Sequence, residues 1–182
     1  MVSVDTSVLS LLLHPDAKPP TDPSTGKPIV RLREKLDKII QDLDSADERI
    51  VLSTVALYEF LILAGLDAAQ YHAQLSQMRS ILICPFDERA AIELASLAGM
   101  AKKKGAKRTP ASADAPWQKV KFDRQIVVIA KVNQAHTIYS DDRDVRKIAQ
   151  GLGMKVISTW ELPDPPSDTP LLDTTAAPPI DL

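Results

Sequence analysis

The sequence predicts an α/β sandwich of three layers around a mostly parallel sheet of about five strands, and three observations predict it. Short β-branched runs alternate with helical segments of roughly ten residues or more, as right-handed βαβ crossovers require. The chain's 182 residues suit one domain large enough to bury a real core. Two of the runs, VSVD near the N-terminus and TIYSDD at Thr137 to Asp142, deliver acids to a strand-to-helix junction. In an open α/β sheet, ligands bind at such junctions, beyond the carboxyl ends of the strands.

Taken in order, Val2 to Asp5 begins as a strand and Thr6 to Leu13 continues as a short helix. His14 to Pro28 is rich in proline and polar residues and is expected to be an insertion. Leu32, Leu36, Ile39, Ile40 and Leu43 keep helical spacing, with Glu34 and Lys38 four apart on the outer face. That helix is expected to end near Ser45. Ile50 to Ser53 is a compact strand, and Ser53 or Thr54 can cap a helix, apolar nearly all round, that runs to Gly65.

Asp67 to Ser80 is a more polar helix, Ile81 to Pro85 a buried strand holding Cys84, and Asp87 to about Lys103 another helix. Gly105 to Pro116 breaks the pattern and is expected to be a second insertion. A helix resumes at about Trp117 and runs to about Gln134. Thr137 to Tyr139 has strand character, Ser140 or Asp141 can cap the helix that follows, and Asp142 to Gly151 is helical in composition and closed by glycine. Met154 to Ser158 is the last strand. The domain is expected over residues 1–161, followed from Leu162 by a proline- and aspartate-rich tail without a basic residue, too polar to offset its ordering entropy.

The net charge of -2 conceals an asymmetry. Between Ala101 and Arg124 eight basic residues face two acids, a local +6 that leaves -8 for the remainder. A single cysteine excludes an internal disulfide and fits a reducing compartment. No apolar run reaches the roughly 18 to 20 residues of a membrane span, and no basic n-region precedes Asp5. A cytoplasmic location is expected. His14, His72 and His136 lack the spacing of a zinc site.

The acids carry the functional argument. Asp5 suits the N-cap of the first helix, and Asp141, Asp142 and Asp144 can cap or compensate the dipole of theirs. Glu59 is harder to dismiss, because it stands among Val55, Ala56, Leu57, Tyr58, Phe60 and Leu61, where an ionised carboxylate is costly to bury alone. Asp123 precedes an apolar helix. Carboxylates that converge repel one another unless a hard cation such as Mg²⁺ or Mn²⁺ holds them. Such a cation also serves phosphodiester hydrolysis.

Four motifs stand in order on this βαβ background: VDTS with Asp5, STVALYEFL with Glu59, FDRQIVVIA with Asp123, and YSDDRDVRKIAQGLGMKVIS with Asp142. Together they resemble the PIN-domain ribonucleases, particularly the VapC-type toxins of toxin–antitoxin pairs, over about Met1 to Thr159. The resemblance implies a sheet ordered 3-2-1-4-5 and a Mg²⁺- or Mn²⁺-dependent endoribonuclease. Asp5, Glu59, Asp123 and Asp142 would be the catalytic metal ligands, with Asp144 as the following acid. Ser7, Ser140 and Asp141 would support them, and Asp141 stands where the family has an Asn. Val145 stands where an aromatic is usual. Lys119, Lys121, Arg124, Arg143 and Arg146 flank the acids as candidate phosphate contacts. An antitoxin and a second copy of the chain are the partners the family implies.

Two other readings stay open: a catalytically weak module of the same fold that binds RNA or protein, and a Mg²⁺-dependent DNA nuclease or phosphatase. Asp5 is followed by Thr6 and Ser7, whereas a phosphatase of this kind would place an acid two residues after its nucleophilic aspartate. Trp117 and Trp160 could stack on bases or pack at element ends.

Overall fold

The structure is a computed structural model that describes residues 1–14, 17–103 and 117–166. Five strands, β1 (Val2–Val4), β2 (Ile50–Ser53), β3 (Ile81–Cys84), β4 (Thr137–Tyr139) and β5 (Lys155–Ile157), form one sheet in the order β3-β2-β1-β4-β5. Every pairing is parallel. The order matches expectation and makes β1 and β4, which are far apart in sequence, central neighbours.

Among the described residues, seven α-helices accompany the strands: α1 (Thr6–Leu13), α2 (Leu32–Ser45), α3 (Thr54–Ala64), α4 (Ala68–Gln77), α5 (Glu88–Lys103), α6 (Trp117–Val132) and α7 (Arg143–Gly151). The pleat sends alternate strand residues to opposite faces. Val2, Val4, Ile50 and Leu52 pack with Val8 and Leu9 of α1, Ala56, Leu57 and Phe60 of α3, and Tyr71 and Leu75 of α4. Val51, Ile138 and Val156 pack on the other face with Val127 to Ala130 of α6 and Val145 and Ala149 of α7. Ser3 points to that second face, buried, and its hydroxyl donates to the Val51 carbonyl at 2.9 Å.

Local signals start and stop these elements close to expectation, with four refinements. The α7 cap is Asp142 rather than Ser140 or Asp141: its side chain accepts from the Asp144 and Val145 amides. The left-handed residue after α7 is Gly153, φ 76°, two residues beyond the expected stop. A 3-10 turn, Gly65–Asp67, precedes α4, which ends at Gln77. The helix α3, although apolar nearly all round, is not buried all round, since Tyr58, Ile62 and Leu63 are exposed, as is Leu66 beyond it.

The first insertion is ordered where it is described. Thr21 and Pro28 form an antiparallel bridge, and Ile29 is buried beside Leu32 and Leu36 of α2. Leu162 joins the same cluster, so the packed chain runs past the expected boundary at 161. Lys35 donates to the Leu162 carbonyl at 3.2 Å and pairs with Asp164 at 2.9 Å, while Arg31 donates to the Pro165 carbonyl at 3.1 Å. Residues 104–116, the second insertion, and 167–182 of the tail lie outside the described residues. Among the described residues, no helix is long and apolar enough to cross a membrane.

Candidate metal centre

The register of the two central strands builds the floor of the site. Val4 pairs with Tyr139, so the residues that follow, Asp5 and Ser140, leave the sheet side by side. Both are buried, and the Ser140 hydroxyl donates to Asp5 Oδ2. Asp5 Oδ1 accepts from the Ser7 hydroxyl at 2.7 Å and from the Val8 amide at 2.9 Å. Asp5 is therefore the N-cap of α1 and, through its other oxygen, the acceptor of the Ser140 hydroxyl. Ser140 Oγ also accepts from the Asp142 amide at 3.1 Å, tying the two acidic segments together.

The wall comes from α6 and α7, which pack against each other. Asp123, on the second turn of α6, faces Asp142 and Asp144 at the start of α7. One carboxylate oxygen from each lies within 4.8 Å of the other two. Asp142 divides its labour: Oδ1 caps α7, accepting from Asp144 at 2.6 Å, and Oδ2 faces the cluster.

Lys119, expected on the rim, reaches into this cluster. Its ammonium lies 3.0 Å from Asp123 Oδ2, 2.6 Å from Asp142 Oδ2 and 3.9 Å from Asp144 Oδ2. Only the Lys119–Asp123 spacing of four residues, one helical turn, is visible in the sequence.

The other candidates separate. Glu59 is half-buried and accepts a hydrogen bond from the Thr6 hydroxyl, at the α1–α3 contact beside Asp5. Thr6 thus joins the site's surroundings, a role its place in the first turn of α1 does not announce. Asp141 turns away: its oxygens accept from the Thr159 amide and hydroxyl, each at 2.7 Å, anchoring the 3-10 turn Thr159–Glu161.

Arg146 is engaged by Ser158 and Glu161 rather than presented to a ligand. Arg124 is buried, not on an open rim. Arg143 and Lys121 are exposed at the starts of α7 and α6. Trp160 packs against the cluster formed by Ile29, Leu32, Leu36 and Leu162.

Burial pushes the Asp5 carboxyl up to about 6, against the lowering pull of its bonds from Ser140, Val8 and Ser7. Burial likewise pushes Asp123 up to about 6, in spite of Lys119. Partial burial also raises the Asp142 carboxyl, but the bonds from Lys119 and from the α7 amides more than offset that, and it lies below the usual range. Burial opposes the Lys119 charge, yet Asp142 and Asp123 raise its pKa well above that of an ordinary lysine. One ammonium does not neutralise three carboxylates.

The donor set fits a hard divalent cation. It is all oxygen, from three carboxylates, and an octahedral ion with bonds of about 2.1 Å places its ligand oxygens about 3 to 4 Å apart. A span of up to 4.8 Å needs only small side-chain rotations to reach that. Asp5 and Glu59, both expected as ligands, are not among these three: Asp5 is linked to Asp142 through Ser140, and Glu59 to the start of α1 through Thr6.

No protein-family model matches the sequence, and no curated protein matches it. Solved structures do match. One is a chain in the crystal structure of VapBC2 from Rickettsia felis bound to a DNA fragment from their promoter, with TM-score 0.55 and 12% identity over 87% of this chain and 98% of that one. Another is a chain of DNA-bound VapBC from Salmonella typhimurium, with TM-score 0.50 and 15% identity over 87% of this chain and 99% of that one. At such identities the likeness is one of fold: the chain has a VapC-like PIN fold, as the four motifs imply.

Proposed function

We propose that the protein is a Mg²⁺- or Mn²⁺-dependent endoribonuclease, the toxin of a toxin–antitoxin pair. The observation that carries the reading is the convergence of Asp123, Asp142 and Asp144 from two helices, with Asp5 tied to Asp142 through Ser140. When bound, the cation supplies Lewis acidity and counter-charge at the phosphodiester. The chain's own residues do the rest. Asp123, Asp142 and Asp144 hold the ion, and Asp5 and Glu59 complete the acidic wall from α1 and α3. Ser7 and Ser140 fix the Asp5 oxygens, so that its carboxylate cannot turn away. Arg143 and Lys121, exposed at the helix starts, attract the RNA backbone.

The partner reading is supported by the uncovered apolar face of α3. Tyr58, Ile62, Leu63 and Leu66 are exposed, next to an open groove of about 420 Å³ lined by Thr54, Leu57, Tyr58, Leu61, Ile62 and His72. Apolar faces of this kind mark protein contacts. An antitoxin is the partner we assign, in keeping with the VapBC complexes among the structural neighbours. Homodimerisation and a cytoplasmic location belong to the same reading.

The test is cleavage of mixed single-stranded and structured RNAs in Mg²⁺, Mn²⁺ or EDTA. The expected result is metal-dependent cleavage by the wild type, reduced at least about a hundredfold in Asp5→Asn and Asp142→Asn. Metal-independent cleavage, or full activity in both variants, would overturn the reading.

A further inference from the structure

Lys119 is the residue whose position the proposed chemistry does not need. A lysine that merely paired along its own helix would contact Asp123 alone. Here the ammonium also reaches Asp142 and Asp144 at the start of another helix, approaching one oxygen of each of the three carboxylates. Asp142 has no second oxygen to offer, because Oδ1 is committed to the Asp144 and Val145 amides. A divalent ion and this ammonium therefore compete for the same lone pairs.

We propose that the Lys119 ammonium is a resident placeholder for the divalent cation: it holds the three carboxylates together in the metal-free protein and must leave before the ion can bind. The inference rests on the metal-centre reading and adds a regulation to it. Three carboxylates brought together without any cation repel one another, so the folded metal-free state needs a counter-charge, and Lys119 supplies it. The lysine side chain is 43% exposed, so it can swing out without disturbing the core. A flexible four-carbon stem suits that motion. Metal loading then becomes an exchange of cations, weaker than three free carboxylates would give.

The experiment is calorimetric titration with MnCl2, paired with thermal melting, on the full chain. Lys119→Met keeps the aliphatic stem and removes the charge. It is expected to bind Mn²⁺ at least about tenfold more tightly than the wild type, and to melt lower without metal and regain stability with it. Lys119→Arg keeps the charge and is expected to stay within about threefold of the wild type. Lys119→Gln, a polar replacement of similar reach, repeats the measurement if the methionine variant fails to fold.

Unchanged or weaker Mn²⁺ binding in the uncharged variants, with wild-type binding abolished by Asp142→Asn, overturns the placeholder and leaves the metal centre standing. If Asp142→Asn binds Mn²⁺ as the wild type does, the metal centre itself fails, and the placeholder with it.

Discussion

Ser140 donates its hydroxyl proton to Asp5 across the seam of the two central strands. The bond is possible only because the parallel register sets Val4 opposite Tyr139, so that the two chains emerge in step. Of the influences that lower the Asp5 pKa, this bond is the largest. Ser140→Ala is therefore expected to push the Asp5 carboxyl above its value of about 6 and to cost about 1 to 3 kcal/mol, since it leaves a buried acceptor without its donor. Carbon-13 titration of the aspartate carboxyls and urea unfolding read both. An Asp5 midpoint that does not move would show that the bond does not set its proton affinity.

The two raised carboxyls give the metal-free protein an unusual pH dependence. Asp5 and Asp123 titrate at about 6 in the folded chain and near 3.8 when unfolded. The folded state thus keeps protons that the unfolded state has already released, and stability falls as pH rises towards 6 and beyond. The acids with lowered pKa, such as Asp87 and Asp142, act below the usual carboxylate range and do not mask the effect between pH 5 and 7. A loss of about 1 kcal/mol per group is expected over that window in EDTA. Saturating Mn²⁺ should reverse it, stabilising more at pH 7 than at pH 5. Urea unfolding at both pH values, repeated on Asp123→Asn, checks the slope; a wild-type protein that gains stability with pH in EDTA contradicts it.

Asp141 separates capping from ligation within a run of adjacent acids. Both of its oxygens are taken by Thr159, which is itself buried. Asp141→Ala should cost about 1 to 2 kcal/mol through the loosened 3-10 turn, while Mn²⁺ affinity stays within about threefold of the wild type. A loss of Mn²⁺ binding comparable to that of Asp142→Asn would return Asp141 to the ligand set.

These residues show how far the sequence could be read. Strand ends and caps are local, and Asp5 and Ser53 could be placed from a few neighbours each, while the α7 cap falls on Asp142, just past the expected Ser140 or Asp141. The ranking of Asp141, Asp142 and Asp144 was not local. It depends on Thr159, which β5 brings back to the same sheet end. Lys119 carried one readable sign, its spacing from Asp123, but its reach to Asp142 and Asp144 exists only because α6 packs on α7. Arg124, charged and next to Asp123, read as a rim residue, yet the buried run from Ile126 to Ala130 continues that side of α6 inward. Glu59 was expected in an apolar interior. It is half-buried on Thr6, because the apolar residues around it divide between core and solvent.

The chain beyond Glu161 offers a test of where the folded unit stops. Leu162 is buried against Ile29, Leu32 and Leu36, and Lys35, itself buried, has its ammonium on the Leu162 carbonyl and on Asp164. Ending the chain at Glu161 removes a core leucine and strands a buried charge, so a loss of about 2 to 5 kcal/mol relative to a chain ending at Pro166 is expected. Lys35→Met should recover part of the loss in the shorter chain, because it removes the unpaired charge and keeps the apolar stem. Urea midpoints of the three chains decide it: equal stability of the chains ending at 161 and 166 would place the boundary before Leu162 and make the Lys35 contacts incidental.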